Sequence, residues 1–99
     1  MSADEFRAYA EAVFRRHNAI QNELMFLLPQ LAENAPERHE RLVEAEESMV
    51  DACKALVSAA SQRSRGIELG LSERMSLPPK VAACDRATRR LERLVEDAD

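Results

Sequence analysis

Eight positions limit what this chain can fold into: Phe6, Ala10, Val13, His17, Ile20, Leu24, Leu27 and Leu31, spaced alternately four and three residues apart. That alternation is the heptad period, which lines residues up along one side of an α-helix. Seven of the eight are apolar, so the side they share must be buried. Asp4 and Glu5 suit the positive end of a helix and Ser2 or Ala3 precedes them, which predicts a start near Ala3. Tyr9, Phe14 and Leu28 widen the stripe, as a core helix of a bundle requires and a strict two-stranded coiled coil does not. Pro29 cannot donate to the carbonyl four residues back and is expected to kink or break the helix, leaving Gln30 to Glu33 as a last turn.

A second long helix is expected over residues 35–65. Asn34 is a good N-cap residue, Pro36 fits the first turn, and Glu37 stands at the capping-box position. Leu42, Ala45, Met49, Ala52, Leu56 and Ala59 recur at three- and four-residue steps. The alanines allow close approach of a neighbouring backbone, and the larger residues supply bulk. Val43, Val50, Cys53 and Val57 form an adjacent stripe, so this helix is expected to touch two neighbours at once. The pattern thins through Ser61 to Arg65, and Gly66 can adopt the left-handed conformation that ends a helix. A rival reading continues the stripe through Ile67, Leu71 and Met75 to about Arg74, against two glycines that each cost roughly 1 kcal/mol in a helix interior.

The third helix is expected over residues 78–97, after a linker of residues 66–77. Ser76 would cap it, Pro78 and Pro79 would sit in its first turn, and Val81, Cys84, Ala87 or Thr88, Leu91, Leu94 and Val95 would be buried. The fold class is therefore all-α: one helical-bundle domain over residues 1–99, made of an antiparallel hairpin of two long helices with a shorter third helix packed across it. Helices of about 30 residues span roughly 45 Å. That is too elongated for 99 residues to bury every apolar side, so dimerisation into a larger bundle is expected.

Leu24 to Leu28 is apolar all the way round, which leaves Met25 and Phe26 facing outward once the seam is buried. Either the third helix or a protein partner is expected to cover them. Charge is unevenly spread about a net of −4. Glu40, Glu44 and Glu47 lie in the acidic first half of the second helix, while Arg86, Arg89, Arg90 and Arg93 make one face of the third helix basic. Each set is a candidate docking face, and the two could complement one another within or between chains. The negative total argues against a generic nucleic-acid or membrane binder.

Catalytic signatures are not legible. No nucleophile stands with a base, and no glycine loop could cradle a phosphate. His39-Glu40 begins like a zinc-protease motif, but Val43 stands where its second histidine would be. Glu44 and Glu47 have the spacing of paired metal-binding carboxylates, but a second pair is needed, and Glu96 with Asp99, which have a suitable spacing, lie at the chain terminus. Cys53, Cys84, His17 and His39 could supply four zinc ligands only from unpaired positions, and each has an ordinary structural explanation. No cofactor and no metal are expected. Two cysteines and a charged N-terminal segment predict a cytoplasmic protein with reduced thiols, and no stretch approaches the ~20 apolar residues of a membrane span.

These features predict a non-enzymatic protein–protein interaction module, of the adaptor, chaperone, inhibitor or immunity type, which forms a homodimer. The alternatives are a nucleic-acid-associated regulator using the basic third helix and a small metal-dependent hydrolase using the glutamates of the second.

Overall fold

The structure, a computed structural model, describes residues 1–97. Among them are four α-helices and no strand: α1 (Ala3–Asn34), α2 (Pro36–Ala52), α3 (Lys54–Ser64) and α4 (Leu71–Glu96).

Helix α1 starts where the sequence places it, and a capping box fixes the start. The Glu5 amide donates to Ser2 Oγ at 3.1 Å and the Ser2 amide donates to Glu5 Oε1 at 3.0 Å. Val13, His17, Ile20, Leu24 and Leu31 of the seam are buried. Pro29 does not break the helix, which runs on to Asn34. Pro29 is exposed, so the carbonyl it leaves unpaired can turn to water rather than end the helix.

The turn into α2 is a single residue, Ala35, held by its amide donating to Leu31 O at 2.8 Å. Asn34 is not the cap of α2. It is the last residue of α1, and no side chain caps the helix that follows. Pro36 takes the first helical position, where its missing N–H costs nothing.

The long second helix expected over residues 35–65 is divided at Cys53, whose φ and ψ are −93° and 0°. The hydrogen-bond ladder still passes through: Cys53 N donates to Met49 O and Val57 N to Cys53 O. The two pieces therefore continue one another across a local distortion. α3 ends in a Schellman motif, with Gly66 at φ 73°, Gly66 N donating to Arg63 O and Ile67 N to Gln62 O. This is the ending that Gly66 predicted.

Between Ser64 and Leu71 the connection is shorter than the expected 66–77 linker, because α4 begins seven residues before Pro78. Pro78 and Pro79 are inside the helix, and Gly70, not Ser76, occupies the N-cap. Both prolines are exposed, so the carbonyls they cannot serve face solvent. Just upstream, Ser76 Oγ donates to Glu73 O at 3.1 Å. Leu77 packs against the core and holds the proline-containing turn onto the bundle.

Contacts between named residues set the helix directions. Tyr9 meets Asp85 and Arg16 meets Glu92, so α1 and α4 run the same way. The Ala35 turn and the pair Glu11 with Arg63 run α2 and α3 back alongside α1. α4 packs against α1, α2 and α3. The result is 47 Å long and 26 by 18 Å across. Its core is built from Leu24, Leu42, Met49, Val81 and Leu91, each at most 1% exposed.

At the middle of that core the structure joins Cys53 to Cys84 in a disulfide with Cα atoms 4.5 Å apart. This corrects the expectation of reduced thiols, and with it the argument from thiols to a cytoplasmic site. Buried Thr88 lies beside the cystine, its Oγ1 3.7 Å from Cys53 Sγ. The reason lies in the helix faces. Cys53 and Cys84 each occupy the core side of their helices, and where α2–α3 meets α4 those sides come within bonding distance.

Candidate interaction surface

The outer surface of this bundle is unusually apolar at a few defined positions. Leu24 is fully buried while its neighbours Met25 and Phe26 are 67% and 72% exposed. One residue is 100° of helical rotation, so five consecutive apolar residues must present some of their number to solvent. Neither Met25 nor Phe26 is covered by α4, which lies against other parts of α1; the expectation that the third helix shields them is therefore overturned. Ile67, Leu71 and Met75 are also exposed at the turn into α4. The rival reading of the sequence makes these three a continuation of the buried stripe. The Schellman turn at Gly66 breaks that continuity and leaves them outside.

The charged candidates do not meet. Glu40, Glu44 and Glu47 are exposed on α2, and Arg86, Arg90 and Arg93 are exposed on α4. No ion pair joins the two sets among the described residues, where the pairs are Arg16–Glu92, Arg63–Glu11 and Arg89–Asp85. The intrachain complement that the sequence allows is therefore not formed. Arg89 differs from the other three arginines, since its Nε donates to Asp85 Oδ1 at 2.8 Å within the helix.

Asp85 is the centre of the polar seam between α1 and α4. Tyr9 Oη donates to its Oδ2 at 2.7 Å, and seven residues along, Arg16 donates from Nε and Nη2 to the two oxygens of Glu92. Burial alone would raise the Asp85 carboxyl, but the hydrogen bonds from Tyr9 and Arg89, with the charges of Arg89 and Arg16, hold it below its ordinary value. Burial beside that carboxylate pushes the Tyr9 phenol up. These groups orient α1 against α4 and are consumed in doing so.

Arg38 does similar work at the other end. Its Nη2 donates to Val95 O at 3.1 Å, satisfying one of the last carbonyls of α4, while its buried Nε has no partner.

His17 is a seam residue at 4% exposure, stacked against Phe14 with Nδ1 3.0 Å from Asn18 Oδ1. Joined in a cystine, Cys53 and Cys84 cannot act as thiolate zinc ligands alongside it. No three His, Cys, Asp or Glu side chains converge on one point among the described residues. Asp99, the partner invoked for Glu96, lies outside the described residues. No helix among them is long and apolar enough to cross a membrane.

No family model matches the chain, and no match was found among curated proteins or solved structures.

Proposed function

We propose that this protein is a non-enzymatic interaction module that binds another protein through the outer surface of its helices, in the manner of an adaptor, chaperone, inhibitor or immunity protein. The observation that carries this reading is the exposure of Met25 and Phe26 beside fully buried Leu24. A flexible thioether and an aromatic ring held out from a 32-residue helix cost solvation free energy in the isolated chain, and both residue types are enriched at protein contacts. The acidic face of α2 and the basic face of α4 supply charge for orienting a partner. The basic arginines alone favour nucleic acid less, because acidic residues outnumber basic ones and Arg89 is engaged by Asp85.

The test replaces both exposed residues together. Met25→Ser/Phe26→Ser should keep its helical content and melt within about 0.5 kcal/mol of the wild type, since neither side chain contributes to the core. In quantitative affinity capture from the source cell, at least one protein retained by the wild type should drop tenfold or more with the variant. An identical set of retained proteins would remove this surface from the function.

A further inference from the structure

We infer that one partner of this module is a second copy of the same chain, docked antiparallel along the exposed valine edge of α2–α3, with a two-fold axis passing beside Val50. The inference rests on the interaction-module reading and assigns it a partner.

The edge is defined by position around the helix. Val43, Val50 and Val57 each precede one of the small residues Ala45, Ala52 and Ala59 by two places, or 200° of rotation, so the two sets occupy opposite margins of the buried face. Ala59 of the alanine margin, with Ala55, lines a shallow hollow against Leu77 and Lys80 of α4. On the valine margin, Val50 and Val57 remain 44% and 39% exposed. A row of valines a heptad apart, half out of the core, is a seam with no partner helix on its outer side.

Symmetry identifies the partner. A two-fold contact needs a surface that complements itself, so that if one residue meets another, the reverse contact also forms. About Val50 the pattern is its own mirror. Val43 and Val57 stand seven residues to either side, and Glu46 and Lys54 four to either side. Antiparallel pairing brings Val50 against Val50, Val43 against Val57, and Glu46 of each copy against Lys54 of the other. Glu46, Val50 and Lys54 already line one shallow hollow on this edge. Neither charge is in an ion pair among the described residues.

The larger charge distribution agrees. α2 carries six carboxylates against Arg38 and Arg41, whereas α3 carries Lys54 and Arg63 and no carboxylate. Antiparallel docking lays the basic half over the acidic half twice. Parallel docking would stack like on like.

Sedimentation equilibrium at micromolar concentration tests the assignment with five variants, each checked for wild-type helicity by circular dichroism. The wild type should be a dimer. Val50→Glu, which places two carboxylates on the axis, should be monomeric. Glu46→Lys and Lys54→Glu should each raise the dissociation constant about tenfold, since every substitution acts twice, and the double variant Glu46→Lys/Lys54→Glu should recover most of the wild-type affinity. A monomeric wild type would overturn the self-docking while leaving a different partner for the module. A dimer that dissociates with Phe26→Glu but ignores Val50→Glu and the charge exchange would equally overturn it, by moving the contact to α1.

Discussion

Refolded in reductant, the protein should melt about 15–25 °C below its oxidised form, the largest single effect expected of any chemical change to this chain. The cystine closes a loop 31 residues apart in sequence, and for a loop of that size the restriction of the unfolded chain contributes about 3–4 kcal/mol. A domain of 99 residues has few kcal/mol in reserve, so that contribution is a large share of its stability. The location adds to the effect. Cys53 sits at the division between α2 and α3, and Cys84 lies on the middle of α4. The bond therefore ties the return arm of the hairpin to the helix that packs against every other element. Thermal unfolding followed by circular dichroism, with free thiols counted in each sample, checks this. Equal midpoints for samples whose thiol content differs by two would show that the cystine contributes nothing.

The second large effect separates neighbours. Leu24→Ala should cost about 3 kcal/mol, because it removes a side chain with no exposure from the centre of the bundle and leaves a cavity where Leu24 stood. Met25→Ala, one residue on and 67% exposed, should change stability by no more than about 0.5 kcal/mol. The contrast depends chiefly on the rotational setting of α1, since the two positions are consecutive on one helix and only Leu24 faces the core. Chemical denaturation with a common slope is the measurement. Comparable losses at both positions would mean that something covers Met25 in the free protein.

How much of this could be seen in the sequence depends on the kind of interaction that decides each feature. Periodicity gave α1 and its buried side because a heptad stripe over eight positions has one physical reading. The Gly66 ending was legible for the same kind of reason: a left-handed residue after a thinning stripe leaves the chain few alternatives. Local rules failed where tertiary packing outweighs them. Pro29, Pro78 and Pro79 are helix breakers by propensity, but each sits on an exposed side of a helix whose other side is held in the core, and the lost hydrogen bonds fall toward water. Asn34 is a better cap than Ala35, yet the hairpin needs its turn one residue later. The cystine was illegible because two cysteines 31 residues apart carry no spacing signature, and only the packing of α2–α3 on α4 brings them together. Of the candidate surface, Met25 and Phe26 could be picked out from the apolar girdle alone. The exposure of Val50 and Val57 could not, since the spacing that marks a stripe does not say how far neighbouring helices cover it.

Contact between the exposed apolar residues of α1 and a protein in the cell is the central proposal, and site-specific photo-crosslinking at position 26 tests it most directly. A photoreactive phenylalanine analogue in place of Phe26 preserves the ring and should give one discrete adduct of defined higher mass on irradiation in the source cell. The same analogue at exposed Lys80 on α4 should give none of that species. Absence of any adduct at position 26, or an indistinguishable smear from both positions, would contradict the claim.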